Sequence, residues 1–202
     1  MIKIGVTGGV GCGKSKVLSY LAEHTGCRII LADEVGHLVK EKGTRCYHRL
    51  IQVLGTEILE EDGRIHRGKM AELIFADDKL LKEVNGIIHP AVEEYIQKIM
   101  GEEEKSGKTE VFFLEAALFI EAGYLPWVDE LWYIYSREAV RRQRLKENRN
   151  YTEEKITQIM ASQRTEEEFR KYASVVIDNS GDFADTAGQI KLQAERLQIL
   201  HE

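Results

Sequence analysis

The sequence contains no run of about 18 apolar residues, the length needed to cross a bilayer, and so offers no membrane-spanning helix. It also lacks a basic excess. Its 28 Lys and Arg against 34 Asp and Glu leave a net charge of -6, the wrong sign for a general nucleic-acid binder, so any anionic ligand must be held by a local cluster. Cysteine is scarce: Cys12, Cys27 and Cys46 are odd in number and spaced for neither a CxxC redox pair nor a zinc knuckle, which leaves reduced thiols. No repeat or low-complexity linker divides the chain, and Met1-Ile2-Lys3-Ile4 runs into a strand pattern rather than a signal peptide. These absences lead us to expect a soluble, cytoplasmic protein that binds neither membrane nor nucleic acid. With 202 residues, 43% of them apolar, the chain can bury one core carrying appendages.

What is present reads first as a βαβ unit. Ile2 to Val6 is a short β-branched apolar run, suited to a buried parallel strand, and it stops at Thr7-Gly8-Gly9. From Lys14 onward, Val17, Leu18 and Leu21 recur at helical spacing, with Gly26 expected to close that helix before a second apolar run from Cys27 to Ala32. Further strands are expected at Glu110 to Glu115, Leu131 to Tyr135 and Ser174 to Ile177, separated by helical stretches. Five strands alternating with helices predict a parallel α/β sheet covered on both faces. Between the second and third strands, Glu34 to Thr109 reads as helices with a turn at Glu61-Asp62-Gly63, and Pro90 is expected to start a new helix. Arg137 to Tyr172 reads as a charged helical region whose Arg137, Arg141, Arg142, Arg144, Lys146 and Arg149 form a basic cluster. Within it, Thr165-Glu166-Glu167-Glu168 has the form of a capping box. The tail from Asp185 to Leu200 reads as a helix that packs on the sheet.

Between the first strand and the first helix lies Gly8-Gly9-Val10-Gly11-Cys12-Gly13-Lys14-Ser15. A triphosphate needs many donors around it and a backbone that can approach without side chains in the way. The glycines meet the steric need, and the loop N–H groups sit at the positive end of the following helix. Lys14 is expected to reach the β and γ phosphates and Ser15 to offer its hydroxyl to Mg²⁺. A match to this pattern arises by chance in a chain of this length roughly one time in a hundred, and the strand and helix around it lower that further. The nucleotide-binding stretch is therefore read as Gly11, Cys12, Gly13, Lys14, Ser15 and Lys16. At Cys12, a helix N-terminus and a lysine are able to lower a thiol pKa, so an oxidisable thiol stands beside the plainer reading of a small residue that fits.

Phosphoryl transfer needs a group that orients the acceptor or takes its proton, usually a carboxylate at the end of a neighbouring strand. Asp33 follows the carboxyl end of the second strand, where open α/β sheets bind ligands. Its alternative role is an N-cap for a helix beginning at Glu34.

Together with Ala32-Asp33, the loop Thr7 to Ser15 resembles that of the dephospho-CoA kinase family. The resemblance continues through Arg67 with Ile74-Phe75, Ile88-His89-Pro90, Leu118-Phe119-Ile120-Glu121, Gln163 and Val176-Ile177-Asp178-Asn179, in order along nearly the whole chain. It implies a P-loop fold like that of nucleoside-monophosphate kinases: a five-stranded parallel core at about 1-33, 109-136 and 173-202, a helical acceptor-binding region at about 34-108 and a helical lid at about 137-172. It implies transfer of the ATP γ-phosphate, with Mg²⁺, to the ribose 3′-hydroxyl of 3′-dephospho-CoA. By the same resemblance Asp33 is the base or orienting carboxylate, Lys14 neutralises developing charge and Arg144 is a lid arginine that closes on the phosphates. Asp33, His89 and Arg67 are the implied acceptor contacts, and Glu121 a site residue, a helix cap or half of an ion pair.

Several positions depart from the family pattern. Leu31 stands where an Asp is usual, Lys16 where Thr is common, and Ala117 replaces a proline. In the lid, Asn148 occupies the place of a second arginine with Arg149 one residue late, and Phe169 replaces a basic residue with Arg170 adjacent. A shift of one residue turns a helical side chain by about 100°, so the neighbours present other faces. A P-loop kinase of another small acceptor, or an ATP-binding homologue without catalysis, remain the alternatives at this point, and oligomeric state is open.

Overall fold

In the computed structural model, which describes residues 1–200, the opening apolar run is β1 (Ile2–Thr7), the loop feeds α1 (Lys14–His24), and β2 (Cys27–Leu31) follows. The next segment is helical: α2 (Ala32–Leu38), α3 (Arg45–Leu54), α4 (Arg67–Ala76) and α5 (Asp78–Ser106). The chain then returns through β3 (Val111–Glu115), β4 (Glu130–Tyr135), α6 (Glu138–Arg149), α7 (Glu153–Ala161), α8 (Glu166–Tyr172), β5 (Val175–Asp178) and α9 (Phe183–Arg196). Two compact units result, one of Met1–Ile30 with the chain from Ser106 onward, the other of Leu31–Lys105.

In the first unit the strand order is β2-β3-β1-β4-β5. β1 is central and runs parallel to β3, with Ile4 opposite Phe113, and to β4, with Val6 opposite Trp132; β4 runs parallel to β5. All five expected strands are found, so the α/β reading holds. β3 is buried at every position because both its faces are covered, which is why its sequence, Val-Phe-Phe-Leu-Glu, does not alternate. Gly5 leaves room on β1 for a neighbour: a Cβ there would lie 2.5 Å from the Phe119 ring and 2.9 Å from Leu131. α9 packs on α1 and β5 through buried Ile190 and Ala194. The capping box is formed, with Glu168 N–H donating to Thr165 Oγ1 at 3.3 Å and Thr165 N–H to Glu168 Oε2 at 2.8 Å. α1 ends earlier than Gly26, since Thr25 turns extended and gives both its N–H (3.0 Å) and its hydroxyl (2.7 Å) to Leu21 O.

In the second unit α3 is capped by Thr44, whose Oγ1 accepts from Tyr47 N–H at 3.1 Å, and Leu50, Ile58, Val84 and Ile96 are fully buried. The predicted turn forms between Leu59 and Ile65, which bridge as an antiparallel pair, with Glu60 N–H donating to Arg64 O at 2.8 Å. Pro90 does not begin a helix. It lies inside the 29-residue α5, on an exposed face. The carbonyl it leaves without a donor is that of Gly86, itself exposed and with open space where a side chain would be, so water can take the place of the lost N–H. No described helix is long and apolar enough to cross a membrane.

Candidate active site

Parallel strands present their carboxyl ends together, so the loop from Gly8 to Gly13 emerges from the centre of the sheet with β3 and β4 on either side. Gly13, at φ 90°, is the residue on which α1 begins; a side chain there would strain the backbone and strike the Asn179 amide. At Gly9 the obstacle is Arg141, whose guanidinium occupies the space a Cβ would take.

Lys14 is held from two sides. Its Nζ donates to Gly8 O at 2.8 Å and stands 3.5 Å from Glu115 Oε1, with both side chains largely buried. Glu115 ends β3, and sequence reasoning overlooked it. The signal was a carboxylate closing a strand of four apolar residues, in line with the position after β2 that drew attention to Asp33. Ser15 is exposed at the start of α1. Lys16 faces elsewhere, its ammonium 4.1 Å from the Phe183 ring and its N–H bonded to Gly13 O at 3.1 Å.

Cys12 is not an activated thiol. It is 1% exposed, and burial pushes its pKa up, against the smaller downward pull of Lys14 and Arg141. The helix N-terminus and the lysine are present as expected, but desolvation of the thiolate outweighs them. Its carbonyl carries the structural role: Asn179 Nδ2 donates to Cys12 O at 2.8 Å and Arg144 Nη1 at 3.3 Å. Arg144 also donates to Asn179 O at 2.9 Å and Ser136 Oγ at 3.2 Å, so its guanidinium braces the base of the loop against β4 and β5.

Arg141, which sequence reasoning noted only as one member of the basic cluster, crosses the loop. Its Nε donates to Val10 O at 2.8 Å and its Nη2 to Gln163 Oε1 at 2.9 Å, while Val10 N–H donates to the same Gln163 oxygen at 3.0 Å. The next residue, Arg164, pairs with Glu121 at 2.6 Å, which makes the ion-pair alternative for Glu121 the observed one. Of the lid departures, Phe169 has a packing reason: it is buried and stacks on Tyr133 with ring centroids 4.8 Å apart. Arg170 turns away to Glu166, at 2.7 Å, and to the Tyr135 ring. Asn148 and Arg149 are both exposed at the end of α6.

Asp33, Arg67 and His89 all belong to the second unit. α2 begins at Ala32 with Leu31 as its N-cap, so Asp33 lies within the first turn and does not cap the helix; its carboxylate is exposed and makes no hydrogen bond among the described residues. Arg67 is the first residue of α4, beside His66, whose Nδ1 accepts from Lys69 N–H at 3.2 Å. His89 is exposed on α5 next to Pro90.

No cluster of three or more His, Cys, Asp and Glu among the described residues is arranged to hold a metal by itself. A hard cation that takes most of its oxygens from phosphate and water needs only one or two protein oxygens. The exposed Ser15 hydroxyl and the Glu115 carboxylate fit that requirement.

Comparison with known proteins adds a longer range of evidence. A family profile described as dephospho-CoA kinase matches residues 2–185. The chain is 38% identical over 198 residues to the dephospho-CoA kinase of Dehalococcoides mccartyi, covering 97% of this chain and 98% of that one. It is 35% identical over 196 residues to that of Streptococcus mutans, covering 96% and 97%. Among solved structures, a dephospho-CoA kinase from Campylobacter jejuni superposes with a TM-score of 0.73 over 97% of both chains at 23% identity, a likeness of fold.

Proposed function

The chain belongs to the dephospho-CoA kinase family, and on that footing we propose that it transfers the ATP γ-phosphate to the 3′-hydroxyl of 3′-dephospho-CoA, giving CoA and ADP. It is an ATP-dependent phosphotransferase with an alcohol acceptor, and its product is the end point of coenzyme A biosynthesis. The observation that carries the assignment is the near-complete match to the family with the phosphate loop intact in its strand-loop-helix setting. We propose that the enzyme is cytoplasmic.

In this reading the loop N–H groups and Lys14 hold the β and γ phosphates. Ser15 and Glu115 would hold Mg²⁺ beside the phosphates, where it would supply charge neutralisation. Asp33 accepts the proton of the 3′-hydroxyl as that oxygen attacks the γ-phosphorus, the bond to the β-γ bridging oxygen breaks, and ADP leaves. Lys14 stabilises the charge that grows on the leaving oxygen. Arg67 and His89 serve the acceptor from Leu31–Lys105, which we take as the acceptor-binding region, and the segment from Arg137 to Tyr172 acts as the lid, excluding water so that ATP is not hydrolysed. Arg144 contributes by holding the loop carbonyl of Cys12 and linking it to Asn179 O at the end of β5.

A coupled assay of ADP release, with and without dephospho-CoA, tests the assignment. ADP that appears only with dephospho-CoA supports it. ADP release stimulated instead by a nucleoside, or by nothing added, overturns it.

A further inference from the structure

A carbonyl and the N–H that follows it belong to one planar trans peptide and point opposite ways. In the phosphate loop the Cys12 carbonyl is turned toward the base of the sheet, where Asn179 Nδ2 donates to it at 2.8 Å, Ser136 Oγ stands 3.1 Å away and Arg144 Nη1 3.3 Å away. The Gly13 N–H of the same peptide therefore faces away from these groups. The short bond is the amide's. Ser136 and Arg144 both stand closer to Asn179 O, at 2.7 and 2.9 Å. The amide is also packed against the peptide it holds, since a Cβ on Gly13 would lie 2.3 Å from Asn179 Nδ2. What fixes the amide is on α9. Asp182 caps that helix, its Oδ1 accepting from Ala184 N–H at 3.1 Å, and one turn on, fully buried Thr186 stands with its Oγ1 3.1 Å from Asn179 Oδ1 and 3.1 Å from Asp178 O. Asp178 O has a second donor in Gln189 Nε2 at 2.9 Å, whereas no other donor reaches Asn179 Oδ1 among the described residues.

Resting on the nucleotide-binding reading above, we infer that Thr186 is a positioning residue for the phosphate loop: through Asn179 it sets the Cys12–Gly13 peptide so that the Gly13 N–H is presented to the nucleotide phosphates. The chemistry of the chain runs in one direction. A carbonyl only accepts, so the Cys12 oxygen takes the nitrogen end of the amide, and the Thr186 hydroxyl takes the oxygen end. Replacing that hydroxyl by a methyl strands Asn179 Oδ1 without a donor at a residue that is 2% exposed. The amide escapes that cost by turning, and turning withdraws Nδ2 from Cys12 O. With its closest donor gone, the peptide is free to rotate. A rotated peptide aims a carbonyl oxygen, instead of an N–H, at the anion. Thr186 touches neither the loop nor, in this reading, the nucleotide, so its effect passes entirely through Asn179.

Two measurements on the full-length protein test the inference. The first is calorimetric titration of a non-hydrolysable ATP analogue. Thr186→Val is expected to bind it about tenfold more weakly than wild type, and Thr186→Ser, which restores the hydroxyl, to bind it within about twofold of wild type. Equal binding by Thr186→Val and wild type overturns the inference, as does a Thr186→Ser protein no better than Thr186→Val. In an Asn179→Ala background, Thr186→Val is expected to change the affinity by no more than about twofold, because the two residues act as one chain; a further tenfold loss overturns the inference. The second measurement is steady-state kinetics. Loss of loop positioning is expected to raise the KM for ATP about tenfold in Thr186→Val while the KM for dephospho-CoA stays within about twofold. A general loosening of the fold would raise both together, and that result overturns the inference. Thr186→Ala gives the same readings should Thr186→Val fail to fold. Failure of the acceptor assignment looks different, as a wild-type protein that binds the analogue but shows no dephospho-CoA-dependent turnover, and the titrations then decide the role of Thr186 by themselves. A wild type that binds no analogue overturns the nucleotide reading and this inference with it.

Discussion

Gln163 Oε1 receives the Val10 N–H at 3.0 Å, so a residue from the turn between α7 and α8 is bonded directly to the backbone of the phosphate loop. The same oxygen receives Arg141, which in turn holds Val10 O, and α6, the α7–α8 turn and the loop are thereby tied through a ring of three hydrogen bonds.

Removing that oxygen should loosen the loop and the α7–α8 turn together. Gln163→Ala is expected to raise the KM for ATP about three- to tenfold, the weight of one or two partly buried hydrogen bonds, and to increase ADP release without acceptor. Steady-state assays with and without dephospho-CoA check both. An unchanged KM would mean that the ring is dispensable for nucleotide binding.

Asp33 does not cap α2 and its carboxylate makes no hydrogen bond among the described residues, so its replacement leaves the helix start intact. Asp33→Asn is expected to reduce kcat at least about a hundredfold while ATP binding, followed by titration, stays within about twofold of wild type. Near-normal turnover would assign proton transfer elsewhere.

Gly5→Ala tests the packing beneath the loop. The added methyl meets the Phe119 ring and Leu131, and overpacking of this kind costs about 1–3 kcal/mol. For a chain of this size that corresponds to a fall in Tm of roughly 2–12 °C by calorimetry. A Tm equal to that of wild type would show that the ring moves aside freely.

Cys12 should resist thiol reagents in the folded protein, since it is buried and its thiolate is disfavoured. The sign of its effect on stability follows from the raised pKa. Below the ordinary thiol value both states keep the proton and the contribution is fully present; above it the unfolded chain loses the proton first, and stability declines as pH rises toward the folded value. Cys12→Ser, which removes this ionisation, should flatten the alkaline limb of stability against pH measured by denaturant titration. An alkaline limb unchanged in the variant would place the titration at another group.

Much of this arrangement could be read before any coordinates. The loop from Gly8 to Ser15 is contiguous, and its strand and helix announce themselves through a change of hydrophobic period, so the whole device fits in one short window. The capping box at Thr165 is local in the same way. Glu115 escaped because its significance lies in Lys14, a partner brought near only when β3 pairs with β1. Phe169 read as a lost lid cation for a similar reason, since the Tyr133 ring that explains it lies on β4. Pro90 misled because helix-start preference describes an average proline, whereas an exposed carbonyl on Gly86 makes an interior site tolerable.

The insertion of Leu31–Lys105 between β2 and β3 has a further consequence during synthesis. β1 leaves the ribosome first, yet both of its sheet neighbours, β3 and β4, are made only after the whole intervening helical segment. At about 5–20 residues per second the nascent chain carries the unpaired edges of β1 for on the order of ten seconds. During that interval the glycine loop lacks the β3 and β4 neighbours that flank it in the complete sheet. The helical segment is complete by then, before Lys14 meets Glu115.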